Sequence, residues 1–112
     1  IVLRPLIQAL QNDVSSVRLW ASSSLAEIGS ISNDNAQLAA DQLLISLKID
    51  NEPVVRSNCI WSLCRLYQML SNKLQESFID ECTKIALFDS EPSVMEEAKT
   101  ALDSMGMRGF YK

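Results

Sequence analysis

Apolar residues recur along this chain at helical spacing, and one arrangement of them occurs three times. The first segment runs Val17-Arg18-Leu19-Trp20-Ala21, followed by Leu25, Ile28 and Gly29. The second runs Val55-Arg56-Ser57-Asn58-Cys59, followed by Leu63, Leu66 and Tyr67. The third runs Val94-Met95-Glu96-Glu97-Ala98, followed by Leu102, Met105 and Gly106. In each, apolar positions fall at 0, +4, +8 and +11. At about 100° per residue these gather on one helical face. Val17 and Val55 stand 38 residues apart, and Val55 and Val94 stand 39 apart.

A second apolar stripe precedes each segment. The stripes are Leu3, Leu6, Ile7 and Leu10; then Ala40, Leu43, Leu44 and Leu47; then Leu74, Phe78, Cys82, Ile85 and Ala86. The turns between paired helices are alike: Asn12-Asp13-Val14-Ser15, Asp50-Asn51-Glu52-Pro53 and Asp89-Ser90-Glu91-Pro92. Each opens on residues that cap or turn. Pro53 and Pro92 fall in a first helical turn, where a missing N–H costs nothing. Gly29 and Gly106 fall where a helix is expected to stop. The pattern predicts helices over 1–12, 15–29, 36–49, 53–70, 73–88 and 92–106. It also predicts a polar linker over 30–35 and a tight turn at Ser71-Asn72. One amphipathic helix pair cannot bury its own stripe, so pairs are expected to stack and share a core.

Composition narrows the class. The chain has 112 residues, 47% apolar and 21% charged, which suits one folded domain rather than a disordered segment. Only 3 Gly and 3 Pro are present, too few for the turns of an all-β fold. The net charge is -4, and eight acidic residues face two basic ones between Glu76 and Asp103. Such an end repels a phosphate backbone. Histidine is absent, which removes His-based acid–base chemistry and His-ligated metal sites. Cys59, Cys64 and Cys82 form no disulfide framework, and their odd number and spacing imply reduced thiols and an intracellular, cytoplasmic protein. Cys59 and Cys64 lie on different helical faces and there is no CxxC, so neither zinc nor any cofactor is expected. No signal peptide and no apolar run of bilayer length is visible.

The combination of a helix pair, a D-x-x-x-V-R turn and A-x-x-x-L-x-x-I-G resembles the HEAT repeat family and its HEAT-like relatives. Asp13, Val17, Arg18, Ala21, Leu25, Ile28 and Gly29 match best. Asp50, Val55, Arg56, Leu63 and Leu66 follow, with Cys59 at the small position. Asp89, Val94, Ala98, Leu102 and Gly106 also match, but Met95 replaces the usual Arg. The resemblance implies an all-α, right-handed α-α superhelix of six helices in three antiparallel pairs. Its repeats would span about 1–29, 36–70 and 73–107 of a single domain that could continue into a longer solenoid. It further implies that Asp13, Arg18, Asp50, Arg56 and Asp89 serve a structural ladder between repeats, interrupted at Met95. The family's usual role is a protein-binding scaffold with a concave face lined by the second helices.

Other HEAT-like chemistries fit less well. An iron hydroxylase of this type needs His-Glu pairs, and there are none. A lyase-type enzyme or enzyme subunit handling a cofactor has no local mark here. A weak nucleic-acid-binding protein would need more than Trp20, Trp61 and Arg65 against an acidic third repeat. The remaining feature is Trp61, which points about 155° away from the core direction of its helix at 100° per residue. Arg65 follows at +4 on the same face, flanked by Asn58 and Gln68. Trp20, Ser23 and Glu27 take the comparable stripe in the first repeat, and Glu97, Thr100 and Ser104 in the third. Trp20, Glu27, Asn58, Trp61, Arg65, Gln68 and Glu97 are therefore the expected partner-binding set, with the Trp residues as anchors and Arg65 pairing with an acidic group. The competing expectation is that both Trp side chains seal contacts between repeats. Ile1 and Val2 with the first stripe, and Met105, Met107, Phe110 and Tyr111 at the other end, form apolar end clusters. These either close the array or are covered by further repeats or a second copy.

Overall fold

The computed structural model describes residues 3–107, and there the chain forms six α-helices and no strand. They are α1 (Leu3–Ala9), α2 (Ser15–Gly29), α3 (Asn33–Ile49), α4 (Pro53–Leu66), α5 (Asn72–Phe88) and α6 (Pro92–Ser104). Ile1, Val2, Phe110 and Tyr111 of the expected end clusters lie outside the described residues. Within each pair α1 packs on α2, α3 on α4 and α5 on α6. Between pairs α2 meets α4 and α4 meets α6, while α1 meets α3 and α3 meets α5. The helices therefore form two rows, with one shared apolar seam. That seam holds the predicted stripes: Ala21 and Leu25, then Val55, Cys59, Leu63 and Leu66, then Val94, Ala98 and Leu102, all buried. Val17 and Ile28 are only half-buried. Helix α4 is enclosed by α2, α3 and α6, so Ile60 and Ser62 are buried as well.

Local chemistry moves several helix ends from where periodicity places them. Helix α3 begins three residues early because the Ser32 hydroxyl caps it, accepting from the Asn35 N–H at 3.1 Å. Helix α4 ends at Leu66 and tightens into a 3₁₀ turn over Tyr67–Met69. Two glutamines hold that turn. Gln37 donates to the Met69 carbonyl (2.6 Å) and accepts from the Ser71 N–H (2.9 Å), and Gln75 donates to the Tyr67 carbonyl (2.8 Å). Ser71 then caps α5 through the Leu74 N–H. At the end of α6, Gly106 takes φ +79°. Its N–H bonds the Asp103 carbonyl and the Met107 N–H bonds the Leu102 carbonyl, which closes the helix in a Schellman arrangement. Gly29 is different: it stays helical and does not act as a left-handed stop. A Cβ there would stand 3.1 Å from the Ala39 Cβ and 3.3 Å from a Leu66 methyl, so the missing side chain admits α3 and α4 close to α2.

The three intra-pair turns share one hydrogen-bond pattern. Asn12 Oδ1 accepts from the Val14 N–H (2.9 Å), Asp50 Oδ1 from Glu52 (3.0 Å) and Asp89 Oδ1 from Glu91 (2.9 Å). These Asx-turns order the helix entry, since Val14, Glu52 and Glu91 at the N-caps make no side-chain cap bond. The position equivalent to Asp50 and Asp89 is thus Asn12, one residue before the expected Asp13, which contributes a backbone carbonyl to Arg18. Arg18 donates to both Asp50 oxygens, at 2.8 and 3.2 Å, and to the Asn12 carbonyl at 2.9 Å. The bond to Asp50 raises its pKa, favouring the charged form. Arg56 repeats the scheme with Asp89 (2.9 Å) and the Asp50 carbonyl (3.0 Å), but its Nε is buried without a partner. Each of these arginines ties its own turn to the next one. Met95, at the third such position, has no guanidinium to offer.

Substitution of Asp89 separates its two tasks. Asp89→Asn keeps the turn acceptor and removes the charge that faces Arg56, whereas Asp89→Ala removes both. Expected losses in urea unfolding are about 1 kcal/mol for Asn and about 2 kcal/mol for Ala, since a nearly buried guanidinium loses its partner at a rim that water reaches. Equal, negligible losses in both variants would mean the ladder contributes no stability.

Candidate functional site

The second helices of the three pairs present the open face on which the expected binding residues fall. Helix α4 leaves only one strip outside its three neighbours, and Trp61 stands on it, 43% exposed. Arg65, one turn on, places its guanidinium 5.1 Å from the indole centroid, a cation–π contact. Arg65 is thus already engaged with Trp61. Trp20 on α2 is 59% exposed. Neither indole is buried.

Each indole lines a groove. One, of about 470 Å³, lies between α2, α4 and α6 and is lined by Leu19, Ser23, Val54, Ser57, Asn58, Trp61 and Glu97. The other, of about 490 Å³, lies between α1 and α2 and is lined by Pro5, Leu6, Trp20, Ser23, Ser24, Glu27 and Ile28. Ser23 lines both, so the two adjoin there. The structure therefore brings Trp61, Asn58 and Glu97 together in one groove, and Trp20 and Glu27 in the next. Gln68 is not part of either: it sits exposed in the 3₁₀ turn, which carries it off the line of the α4 helix. Thr100 and Ser104 also lie outside both linings, and the Ser104 hydroxyl donates to the Ala101 carbonyl.

Asn58 has a structural task that sequence alone assigned to a partner. Its amide nitrogen donates to the hydroxyls of Ser22 (2.7 Å) and Ser23 (2.6 Å) on α2. Ser62 adds a bond from its buried hydroxyl to the Ser22 carbonyl at 2.6 Å, and the Ser22 hydroxyl donates to the Leu19 carbonyl at 2.7 Å. Small side chains let α2 and α4 approach, and these bonds satisfy the polar groups that the approach buries. Asn58 and Ser23 of this seam also line the first groove. The signal for this seam was present as serine at 22 and 62 on otherwise apolar helices, but serine alone does not reveal its partner. Leu19, Val54 and Ile28, on the same helices as the indoles, and Pro5 of α1 also line the grooves, a placement that periodicity does not assign.

Among the described residues no group of three His, Cys, Asp or Glu could hold a metal ion, and no helix is long and apolar enough to cross a membrane. The thiols are poorly suited to nucleophilic work. Burial pushes Cys59 up to about 12 and Cys64 up to about 11, and raises Cys82 further. At Cys64 burial is the leading cause and the nearby Glu97 adds to it, against the opposing hydrogen bond with Ser104. A thiolate is the reactive form, so little of it is present near neutrality.

The same shifts set an alkaline limit. Unfolded thiols ionise near pH 9 while the folded ones keep their protons, so the stabilisation they contribute is complete below pH 9 and is lost as the pH rises toward about 12. The urea midpoint is expected to fall between pH 8 and pH 10, and to fall less in Cys59→Ala. An unchanged midpoint in the parent chain at pH 10 would contradict buried thiols.

Against known proteins the chain stands apart: no family model matches it, and neither a curated protein nor a solved structure does so.

Proposed function

We propose that this chain is a HEAT-like helical-repeat scaffold, a right-handed superhelix whose second helices hold a peptide or protein on their open face. The observation that carries this reading is the pair of exposed indoles, Trp20 and Trp61, each lining one of two adjoining grooves. Large aromatic side chains are costly to leave in water, and Trp and Arg most often dominate binding energy at interfaces. The repeated turn, with its Arg18–Asp50 and Arg56–Asp89 contacts, supports the repeat assignment. The high thiol pKa values and the absence of histidine favour holding a partner over transforming a substrate.

Trp61→Ala tests the reading, with capture from native extract followed by mass spectrometry and a thermal melt of the same variant. A partner retained by the parent chain is expected to weaken about 30-fold, the equivalent of about 2 kcal/mol at a central anchor, with little change in melting. A variant that melts early yet captures its partner normally would leave Trp61 a packing residue.

A further inference from the structure

The ionic lining of the two grooves is of one sign. Glu97 is the charged residue of the first and Glu27 of the second; no Lys or Arg lines either. Neither glutamate takes part in an ion pair among the described residues. Beside each carboxylate stands an indole, and between them lie Ser23, Ser57 and Ser24 with the aliphatic walls Leu19 and Val54, or Pro5 and Ile28. The same three elements, an aromatic face, an aliphatic wall and a carboxylate, therefore occur twice, in two adjoining grooves.

That set matches the parts of a lysine or arginine side chain. The alkyl stem is apolar and the head is cationic, so the stem can lie on carbon while the head reaches a carboxylate. An indole face attracts a cation, as Trp61 already does with Arg65 on its own helix. Arg65 is outside the groove lining and stands over one face of Trp61, so Glu97 is the charged group of the lining itself. An acidic segment would meet Glu27, Glu97 and a chain of net charge -4. A wholly apolar segment would strip water from both carboxylates and return no partner.

Resting on the scaffold reading above, we infer that the occupant is an extended protein segment with two cationic side chains. One lies along Trp20 with its head at Glu27, the other along Trp61 with its head at Glu97. Ser23, common to both grooves, marks where the segment passes from one to the other.

The test uses the full chain and two short synthetic peptides of lysine, leucine and serine, identical except that glutamate replaces each lysine in the second. Binding is read by tryptophan fluorescence and calorimetry at low and moderate salt. The lysine peptide is expected to bind and to weaken with salt, and the glutamate peptide not to bind. Glu27→Gln and Glu97→Gln are each expected to weaken the lysine peptide about threefold to fivefold, as for exposed ion pairs. Glu76→Gln, on α5 away from the grooves, is expected to leave it unchanged. Equal weakening by Glu76→Gln would show diffuse attraction to an acidic surface and overturn the two-site inference. Tighter binding of the glutamate peptide would overturn the basic occupant while leaving the groove in use. No binding of either peptide also overturns this inference, and the Trp61→Ala capture experiment then decides the scaffold reading separately.

Discussion

The central constraint is that no helix pair here can hide its own apolar side. Helix α4 bears the consequence most fully. It packs against its partner α3 and against α2 and α6 in the flanking pairs, so Val55, Cys59, Ile60, Leu63 and Leu66 are all withdrawn from water. A helix enclosed on three sides has a single strip left, and Trp61 and Arg65 occupy it. The exposed indole is thus the residue of a packing problem already solved elsewhere on the same helix. The apolar burial supplies the driving force, while the position of the open strip follows from how many neighbours α4 has.

Polar groups then decide how closely the pairs approach. At one edge, Arg18 and Arg56 each join a carbonyl of their own turn to the carboxylate of the next, so neighbouring turns are held by the same atoms that order the helix entries. Across the seam between α2 and α4, Asn58 and Ser62 bond Ser22 and Ser23 where larger apolar side chains would hold the helices apart. Gly29 does the same at the end of α2 by having no Cβ. These are three different devices with one effect: the distance between neighbouring pairs is set by short contacts, and the groove between the second helices takes its width from it.

The sequence by itself determined the helices and their buried faces, because both depend on neighbours three and four residues away, and the apolar positions at that spacing are written along the chain. The repeat of 38 and 39 residues likewise placed Asp50 and Asp89 at equivalent turns, though it drew attention to Asp13 where the Asx-turn uses Asn12. The helix ends were less legible: Ser32 and Ser71 cap through single hydrogen bonds, and the 3₁₀ turn after α4 depends on Gln37 from another helix. Of the candidate site, the exposure of Trp61 could be read from its angle on the helix. The use of Asn58 could not, since its acceptors lie 35 and 36 residues away. Only the tertiary structure brought Glu97 of α6 into one groove with Trp61 of α4 and set two grooves beside each other at Ser23. Those relations depend on inter-helix distance and rotation, which arise from packing between segments and leave no periodic trace in the order of residues.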